Sequence, residues 1–459
     1  MAKSDLYTYH QKKKFPSHKK AIAGLLIVFG SFFAFGIYAV WNLWLHWQPQ
    51  IMSVILGLGI PTLTTNNMWL IGAAVFGLVI LSLVMAVLAS MAARRLGGTL
   101  IYIGAFFMNV LTWAVPVFLL VTGAVPLSMI GSLWPILIPG LFTLFITLLL
   151  FTVFRGRIRR AGEIIKLTGQ VTLDEKGTFV PPLLAMMFTL VSALLFGGIL
   201  VYFMPDVVFG SVEITLENGW PFALGIMVYL FVTIFFYNFA YSTTSAITYI
   251  YMRGRDPSLG DGVRASLAIV GGLIALSIMS VVVALIRMLI RAVARRSTTA
   301  LGRGVGYAAE GAIGWIWALV NYFTIPVMVA EDVGAKDGIK RSIEMVRKNF
   351  VDVMIKETAV RWGFSVLAFM FFIGFAAGGA LLGWFLKGDM ISIIGLAVVF
   401  TIFASIPSAL VLRTFDIVYV TLLYVFIRQK EGTISGHTQI KGAMRKELDR
   451  AYNYAKKSQ

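Results

Sequence analysis

Residues 181–203 read PPLLAMMFTLVSALLFGGILVYF, and this run contains no charged side chain. An α-helix rises about 1.5 Å per residue, so the run is long enough to cross a hydrocarbon layer about 30 Å thick. Runs of similar length and composition recur along the chain. They predict an all-α fold: a polytopic transmembrane helix bundle of about ten transmembrane helices, with short cytoplasmic amphipathic helices.

The overall composition agrees with this run. Hydrophobic residues make up 59% of the chain and charged residues 13%, whereas soluble domains contain about 45–50% apolar and about 25% charged residues. The chain has no cysteine, and its four histidines lie in the tails or at the edge of a predicted span. This excludes disulfides, thiolate catalysis and cysteine-ligated clusters, and it predicts no metal site and no cofactor.

The apolar runs divide the chain into predicted regions. These are a cytoplasmic basic N-terminal tail at 1–20, a four-helix transmembrane region at 21–154, a cytoplasmic linker at 155–180, a six-helix transmembrane domain at 181–428 and a cytoplasmic amphipathic tail at 429–459. The linker is polar and predicts a short helix along the membrane. In the tail, apolar residues recur every four positions, as they do on one face of an amphipathic helix.

Basic residues lie mostly at the ends of the predicted spans and account for the net charge of +18. Arg94 and Arg95 follow the second span, RGRIRR at 155–160 follows the fourth, and the loops on the opposite side are neutral. Cytoplasmic loops carry the excess of Lys and Arg in membrane proteins. The pattern predicts a multi-pass protein of the cell membrane with both termini in the cytoplasm. Its expected partners are anionic phospholipids and not nucleic acid.

One basic stretch breaks this rule. If the seventh span (267–286) crosses outward, the arginines between it and the eighth span (308–329) lie outside the cell. Two interpretations remain open. The two spans are full crossings joined by a basic outer loop, which the length of each apolar run favours, or they form a re-entrant hairpin that keeps the arginines near the cytoplasm.

These arginines are the first candidate site. Arg287, Arg291 and Arg295 are spaced by four, so a helix places them on one face. With Arg296 and Arg303 they are candidates for binding an anionic lipid or an anionic substrate, because the guanidinium fork matches phosphate geometry. The alternative is that they only extend their charges to the membrane surface.

Acidic residues within the spans are candidates for intramembrane ion pairs. A carboxylate at membrane depth is costly unless it is paired, so Glu310 is expected to pair with Arg303 or with the arginine strip. Arg413 and Asp416 are three residues apart and can pair with each other on one face of the last helix.

Three segments carry a resemblance to a known family. They are RGRDPSLGDGVRAS at 253–266, WALVNYFTIPVMVAEDVGAKDGIKRSIEMVRKNF at 317–350 and LLYVFIRQKEG at 422–432. With them, the part from about 155 to 432 resembles an uncharacterised prokaryotic family of six-helix integral membrane proteins. That family is distantly similar to the membrane domain of some glycerophosphodiester phosphodiesterases.

The resemblance implies a fold and a cytoplasmic location for residues 330–350, but no activity. It also implies that Pro326, Glu331 and Ser342 cap and orient a helix at the membrane surface. Glu331 and Asp332 come just before the predicted helix at 335–348, where negative charge stabilises a helix N-terminus.

No Walker A loop, GxSxG elbow or HExxH motif is present in the sequence, and the chain offers no constellation for catalysis. The favoured prediction is therefore a non-catalytic scaffold or accessory subunit that binds lipids or other membrane protein subunits. The first alternative is a transporter or carrier of an anionic or lipid-like substrate, using the arginine strip and Glu310. The second is a membrane-embedded lipid enzyme.

Overall fold

The computed structural model describes residues 19–57, 69–122, 134–205, 219–386 and 388–430. Over these residues the chain is helical and contains no β-strand, which confirms the all-α prediction. Within them, 9 helices are long and apolar enough to cross a membrane, or up to 10 if one bent pair is counted as a span. The predicted amphipathic helix in the tail falls at 431–459, outside the described residues.

The helices are numbered here in chain order. They are α1 Lys19–Gly57, α2 Trp69–Leu96, α3 Thr99–Val121, α4 Trp134–Thr152, α5 Arg155–Asp174, α6 Val180–Phe203, α7 Trp220–Met252, α8 Leu259–Ala268, α9 Val270–Arg296, α10 Ala300–Val320, α11 Thr324–Glu331, α12 Ala335–Lys348, α13 Phe350–Ile355, α14 Arg361–Leu386, α15 Met390–Phe403 and α16 Ser405–Lys430. A π-helical turn, Lys356–Val360, joins α13 to α14.

The described residues form two compact units. Unit 1 comprises those within Met1–Val79, Val180–Ile247 and Pro257–Glu344. Unit 2 comprises those within Ile80–Phe179, Thr248–Asp256 and Met345–Gln459. The predicted division into four-helix and six-helix regions is a division along the chain, and it stays a prediction.

Unit 1 is held together by close helix approaches and by polar contacts. Helix α1 packs on α6 around Phe32 and Leu195. Gly198 allows this approach, because a Cβ there would lie 2.5 Å from Val40 Cγ2. Between α7 and α9, Asn238 Nδ2 donates to Ser277 Oγ at 3.0 Å. Small residues and interhelical hydrogen bonds of this kind stabilise helix packing in membranes.

Unit 2 is built around α14, which packs on α3, α15 and α16. The predicted linker helix is α5, which meets α4 at an angle of 90°. Helix α5 has 20 residues and packs more deeply than the short helix along the membrane that the sequence predicts. Its face carrying Ile158, Ile165 and Val171 is buried within the unit, and Thr172 Oγ1 donates to Ser90 Oγ at 2.9 Å.

Helices α9 and α10 extend beyond the predicted spans at 267–286 and 308–329. Helix α9 continues to Arg296, and α10 begins at Ala300. The arginines lowered the local hydropathy, yet arginine is a good helix former and does not end a helix. A one-residue break at Ala404, three residues before Pro407, separates α15 from α16.

Candidate functional site

Helices α9 and α10 of unit 1 form an antiparallel hairpin with a turn at residues 297–299. Thr299 caps α10, because its Oγ1 accepts from Gly302 N at 3.1 Å. Further from the turn, a Cβ on Gly306 would lie 3.2 Å from Ala294 Cα. Further still, a Cβ on Gly314 would lie 2.7 Å from Arg287 Cζ. The glycines of α10 therefore let α9 lie directly against it.

Glu310 is the buried residue of α10, with 7% of its surface exposed. Its Oε1 accepts from Arg287 Nη2 at 2.6 Å, and its Oε2 accepts from Arg291 Nη2 at 3.0 Å. The structure thus brings together Glu310 and two residues of the predicted strip. Both arginine side chains remain substantially exposed, at 40% and 49%, so each guanidinium keeps N–H donors for another acceptor.

The other three predicted arginines lie closer to the turn. Arg295, Arg296 and Arg303 are exposed, and no carboxylate of the described residues pairs with them. The end of the hairpin therefore carries five guanidinium groups and one carboxylate. We call this surface, residues 286–305 together with Glu310, the arginine tip.

Large apolar side chains lie among these charges. Leu289, Val293, Leu301 and Val305 are each more than half exposed, at 66%, 72%, 79% and 61%. A surface that mixes exposed apolar groups with arginines suits the boundary between lipid tails and headgroups, where the apolar groups are buried and the charges meet phosphate.

The residues predicted to orient a surface helix form a second cluster in unit 1. Pro326 lies in the first turn of α11 and is buried. Asp332 ends that helix with a left-handed backbone, φ 52°. Glu331 Oε2 lies 3.6 Å from Arg341 Nε on α12. Ser342 is fully buried, and its Oγ accepts from the backbone N–H of Phe323 at 2.9 Å.

Replacing Ser342 with alanine should lower the free energy of unfolding by about 1–3 kcal/mol, because the N–H of Phe323 is buried and loses its acceptor. Thermal unfolding of the purified protein in detergent measures the change. Ser365→Ala is the matched control, since the Ser365 hydroxyl donates to Arg361 O of its own helix at 2.9 Å. Equal effects of the two substitutions would contradict the capping role.

Unit 2 contains an ion-pair network that the sequence did not reveal. Lys356 is 3% exposed, and its Nζ contacts Asp416 Oδ1 of α16 and Glu357 Oε1, the latter at 2.8 Å. Asp416 contacts Lys356, and its predicted pairing with Arg413 stays a prediction. Lys356 begins the π-helical turn, a feature that is frequent at functional sites.

A second ion pair lies one turn away. Asp352 Oδ1 is 3.5 Å from Arg160 Nη2 and 3.6 Å from Arg157 Nη1. Burial lowers the pKa of the Arg160 guanidinium from its ordinary value, and the neighbouring Asp352 carboxylate opposes that shift. These pairs hold the polar helix α5 against the segment that leads into α14.

Comparison with known families gives one match. Residues 221–435 are similar to a family of unknown function (DUF6159). This confirms that the C-terminal part resembles an uncharacterised family, and the matched segment contains both the arginine tip and the Lys356 network. No match to a curated protein was found.

Proposed function

We propose that this multi-pass membrane protein is a non-catalytic scaffold or accessory subunit that binds anionic phospholipids through the arginine tip. The observation that carries the proposal is the excess of cations there: the arginine tip holds five arginines, two of them paired with its one carboxylate, among exposed apolar side chains. The distribution of basic residues along the chain supports a place in the cell membrane with cytoplasmic termini.

Within the arginine tip, Glu310 orients two arginines, and the arginines supply the donors for phosphate. Glu310 takes one N–H from each of Arg287 and Arg291 and so fixes the orientation of both guanidinium groups. Their remaining donors, together with Arg295, Arg296 and Arg303, are available to phosphate oxygens. Each basic side chain near an anionic membrane surface contributes about 1 kcal/mol to binding.

Helices α9 and α10 are long enough for the chain to cross the membrane twice at the arginine tip. Both Val270–Arg296 and Ala300–Glu331 are long and apolar enough to cross a membrane. Their length supports two full crossings in preference to a re-entrant hairpin.

A transporter of an anionic or lipid-like substrate is the second candidate, because a buried carboxylate held by two arginines also occurs in substrate pathways. Such a transporter needs a cavity lined by the strip. A cavity of about 460 Å³ in unit 1 is lined instead by apolar and small residues, among them Leu25, Phe231 and Ile274.

The test is lipid binding by the triple variant R295Q/R296Q/R303Q, which leaves the Glu310 pairs intact. Native mass spectrometry of the purified protein, titrated with phosphatidylglycerol, measures the bound lipid. We expect the affinity to fall at least tenfold relative to the unsubstituted protein, because three charge contacts of about 1 kcal/mol each are lost.

The matched control is K336Q/K340Q/R347Q, which removes the same charge from three exposed positions of α12. It should retain most of the binding. An equal loss in both variants would show that only overall charge matters, and an unsubstituted protein that binds phosphatidylcholine as tightly as phosphatidylglycerol would contradict the proposal outright.

A further inference from the structure

The apolar cavity of unit 1 lies between the first turns of α1, the first half of α7 and the first turns of α9. Its volume of about 460 Å³ falls within the range of about 300–1,000 Å³ that is usual for ligand pockets. None of the described residues that line it has a polar side chain; they are Gly24, Leu25, Val28, Phe231, Gly271 and Ile274. A group that fills this cavity must therefore be apolar.

The cavity is elongated along the helix axes. The antiparallel helices α7 and α9 meet where Asn238 contacts Ser277. Phe231 lies seven residues before Asn238, and Ile274 lies three residues before Ser277. On antiparallel helices these two wall residues lie on opposite sides of the contact, roughly 15 Å apart along the axes. An extended hydrocarbon chain has this shape, whereas a helix of that length, about 10–12 Å across, would occupy roughly 1,200 Å³ or more.

Two glycines open the cavity, one from α1 and one from α9. A Cβ on Gly24 or on Gly271 would meet no atom of the described residues within 4 Å. The next residue of α9 differs, because a Cβ on Gly272 would lie 2.6 Å from Met328 Cε. Glycines in membrane helices usually let helices approach closely, yet Gly24 and Gly271 leave a space. Lipid must fill this space in a membrane, because an empty void forfeits dispersion contacts.

Two exposed cations lie near the end of the cavity that Gly24 and Gly271 form. Lys20 precedes Gly24 by one turn on the same face of α1. Arg264 of α8 precedes Gly271 by two turns, across the one-residue break at Ile269. No carboxylate of the described residues pairs with either cation. This end of α1 is predicted to be cytoplasmic, so both cations are expected at the level of the lipid phosphates.

We propose that this cavity binds one acyl chain of a membrane phospholipid whose phosphate contacts Lys20 and Arg264. The chain runs from the two glycines towards Phe231, and the two cations bind the phosphate oxygens. Every phospholipid has this phosphate, so the site recognises the phosphate and the chain and not one particular headgroup. The arginine tip lies at the opposite end of α9, so the two sites bind lipids of opposite leaflets if α9 crosses the membrane.

The experiment uses the full chain in nanodiscs of phosphatidylcholine that contain a small amount of phosphatidylcholine with a diazirine in one acyl chain. After irradiation, mass spectrometry of the digested protein locates the labelled residues. We expect Leu25 and Ile274 of the cavity to be labelled more strongly than Ile37, a residue of α1 that is 60% exposed and does not line the cavity. Phosphatidylcholine is chosen because the arginine tip is proposed to prefer anionic lipids.

Gly24→Leu and Gly271→Leu test the cavity from two walls. Each new side chain enters the cavity without meeting the described residues, so each variant should fold and should lose the excess labelling of the cavity walls. Gly30→Leu is the matched control. A Cβ on Gly30 also meets no atom of the described residues within 4 Å, and this residue of α1 does not line the cavity. Its labelling pattern should match that of the unsubstituted protein.

A second probe tests the phosphate contact. Diacylglycerol with the same diazirine chain has no phosphate, so it should label the cavity walls roughly tenfold less than the phospholipid does. The variant K20Q/R264Q should lose this preference for the phospholipid. The control K336Q/K340Q removes two exposed lysines of α12 and should keep the preference.

Three results would overturn the proposal. One is equal labelling of the cavity walls and of Ile37 in the unsubstituted protein, which would show only the lipid that surrounds any membrane protein. Another is excess labelling that survives both Gly24→Leu and Gly271→Leu. The third is a preference for the phospholipid that survives K20Q/R264Q. The variant R295Q/R296Q/R303Q should leave all of this labelling unchanged, so this site and the arginine tip fail or succeed separately.

Discussion

Replacing Lys356 with methionine is expected to lower the free energy of unfolding by about 1–3 kcal/mol, because it leaves Glu357 and Asp416, whose side chains are 28% and 43% exposed, without their cation. The Lys356 ammonium is buried and contacts both Asp416 and Glu357. Methionine has a similar length and no charge, so it fills the space but leaves two carboxylates without their cation. The loss is measured by thermal unfolding of the full chain in detergent.

Two further variants separate charge compensation from packing. The triple variant K356M/E357Q/D416N removes all three charges, and it should recover much of the lost stability because no uncompensated charge remains. Lys348→Met removes an exposed lysine from α12 and should change the stability by less than about 0.5 kcal/mol. A triple variant less stable than Lys356→Met would show that the carboxylates do not need the ammonium.

Replacing Gly379 with alanine is expected to destabilise unit 2 by about 1–3 kcal/mol, through overpacking of two helices. A Cβ at Gly379 of α14 would lie 2.8 Å from Leu396 C and 2.9 Å from Phe400 Cβ, both on α15. Backbone atoms of one helix cannot move aside as a flexible side chain can, so the two helices must separate. The effect is measured as a lower midpoint of thermal unfolding.

The neighbouring glycine is the control. Gly378 lies on the same helix, and a Cβ there would meet nothing within 4 Å. Gly378→Ala should therefore leave the stability unchanged or raise it by up to about 1 kcal/mol, since alanine favours the helix over glycine. If Gly378→Ala and Gly379→Ala unfold alike, the close approach of α14 and α15 does not limit the stability.

Much of the fold could be predicted because the membrane imposes a simple rule. An apolar run of about 20 residues must satisfy its backbone hydrogen bonds internally, so each such run predicts a helix. Helix Val180–Phe203 agrees with the predicted run at 181–203 for this reason. Helices α9 and α10 extend beyond the predicted spans at residues 286–308, where hydropathy and helix propensity disagree. Arginine lowers hydropathy but continues a helix.

The candidate sites were only partly predictable. The spacing of Arg287 and Arg291 placed them on one helical face, and the cost of an isolated carboxylate required a partner for Glu310. Nothing in the sequence linked Asp416 to Lys356, which lies 60 residues earlier. The residues next to Lys356 in the sequence do not indicate which helices pack around it, so its burial could not be inferred.

By itself, the sequence determined that the chain is a multi-pass helical membrane protein with an excess of arginine between two spans. These are properties of single helices and follow from local composition. Only the tertiary structure decided which charges are compensated: Glu310 by two arginines, Asp416 by Lys356, and Arg295, Arg296 and Arg303 by no carboxylate of the described residues. The reason is physical, because the energy of a buried charge depends on neighbours that packing brings from distant parts of the chain.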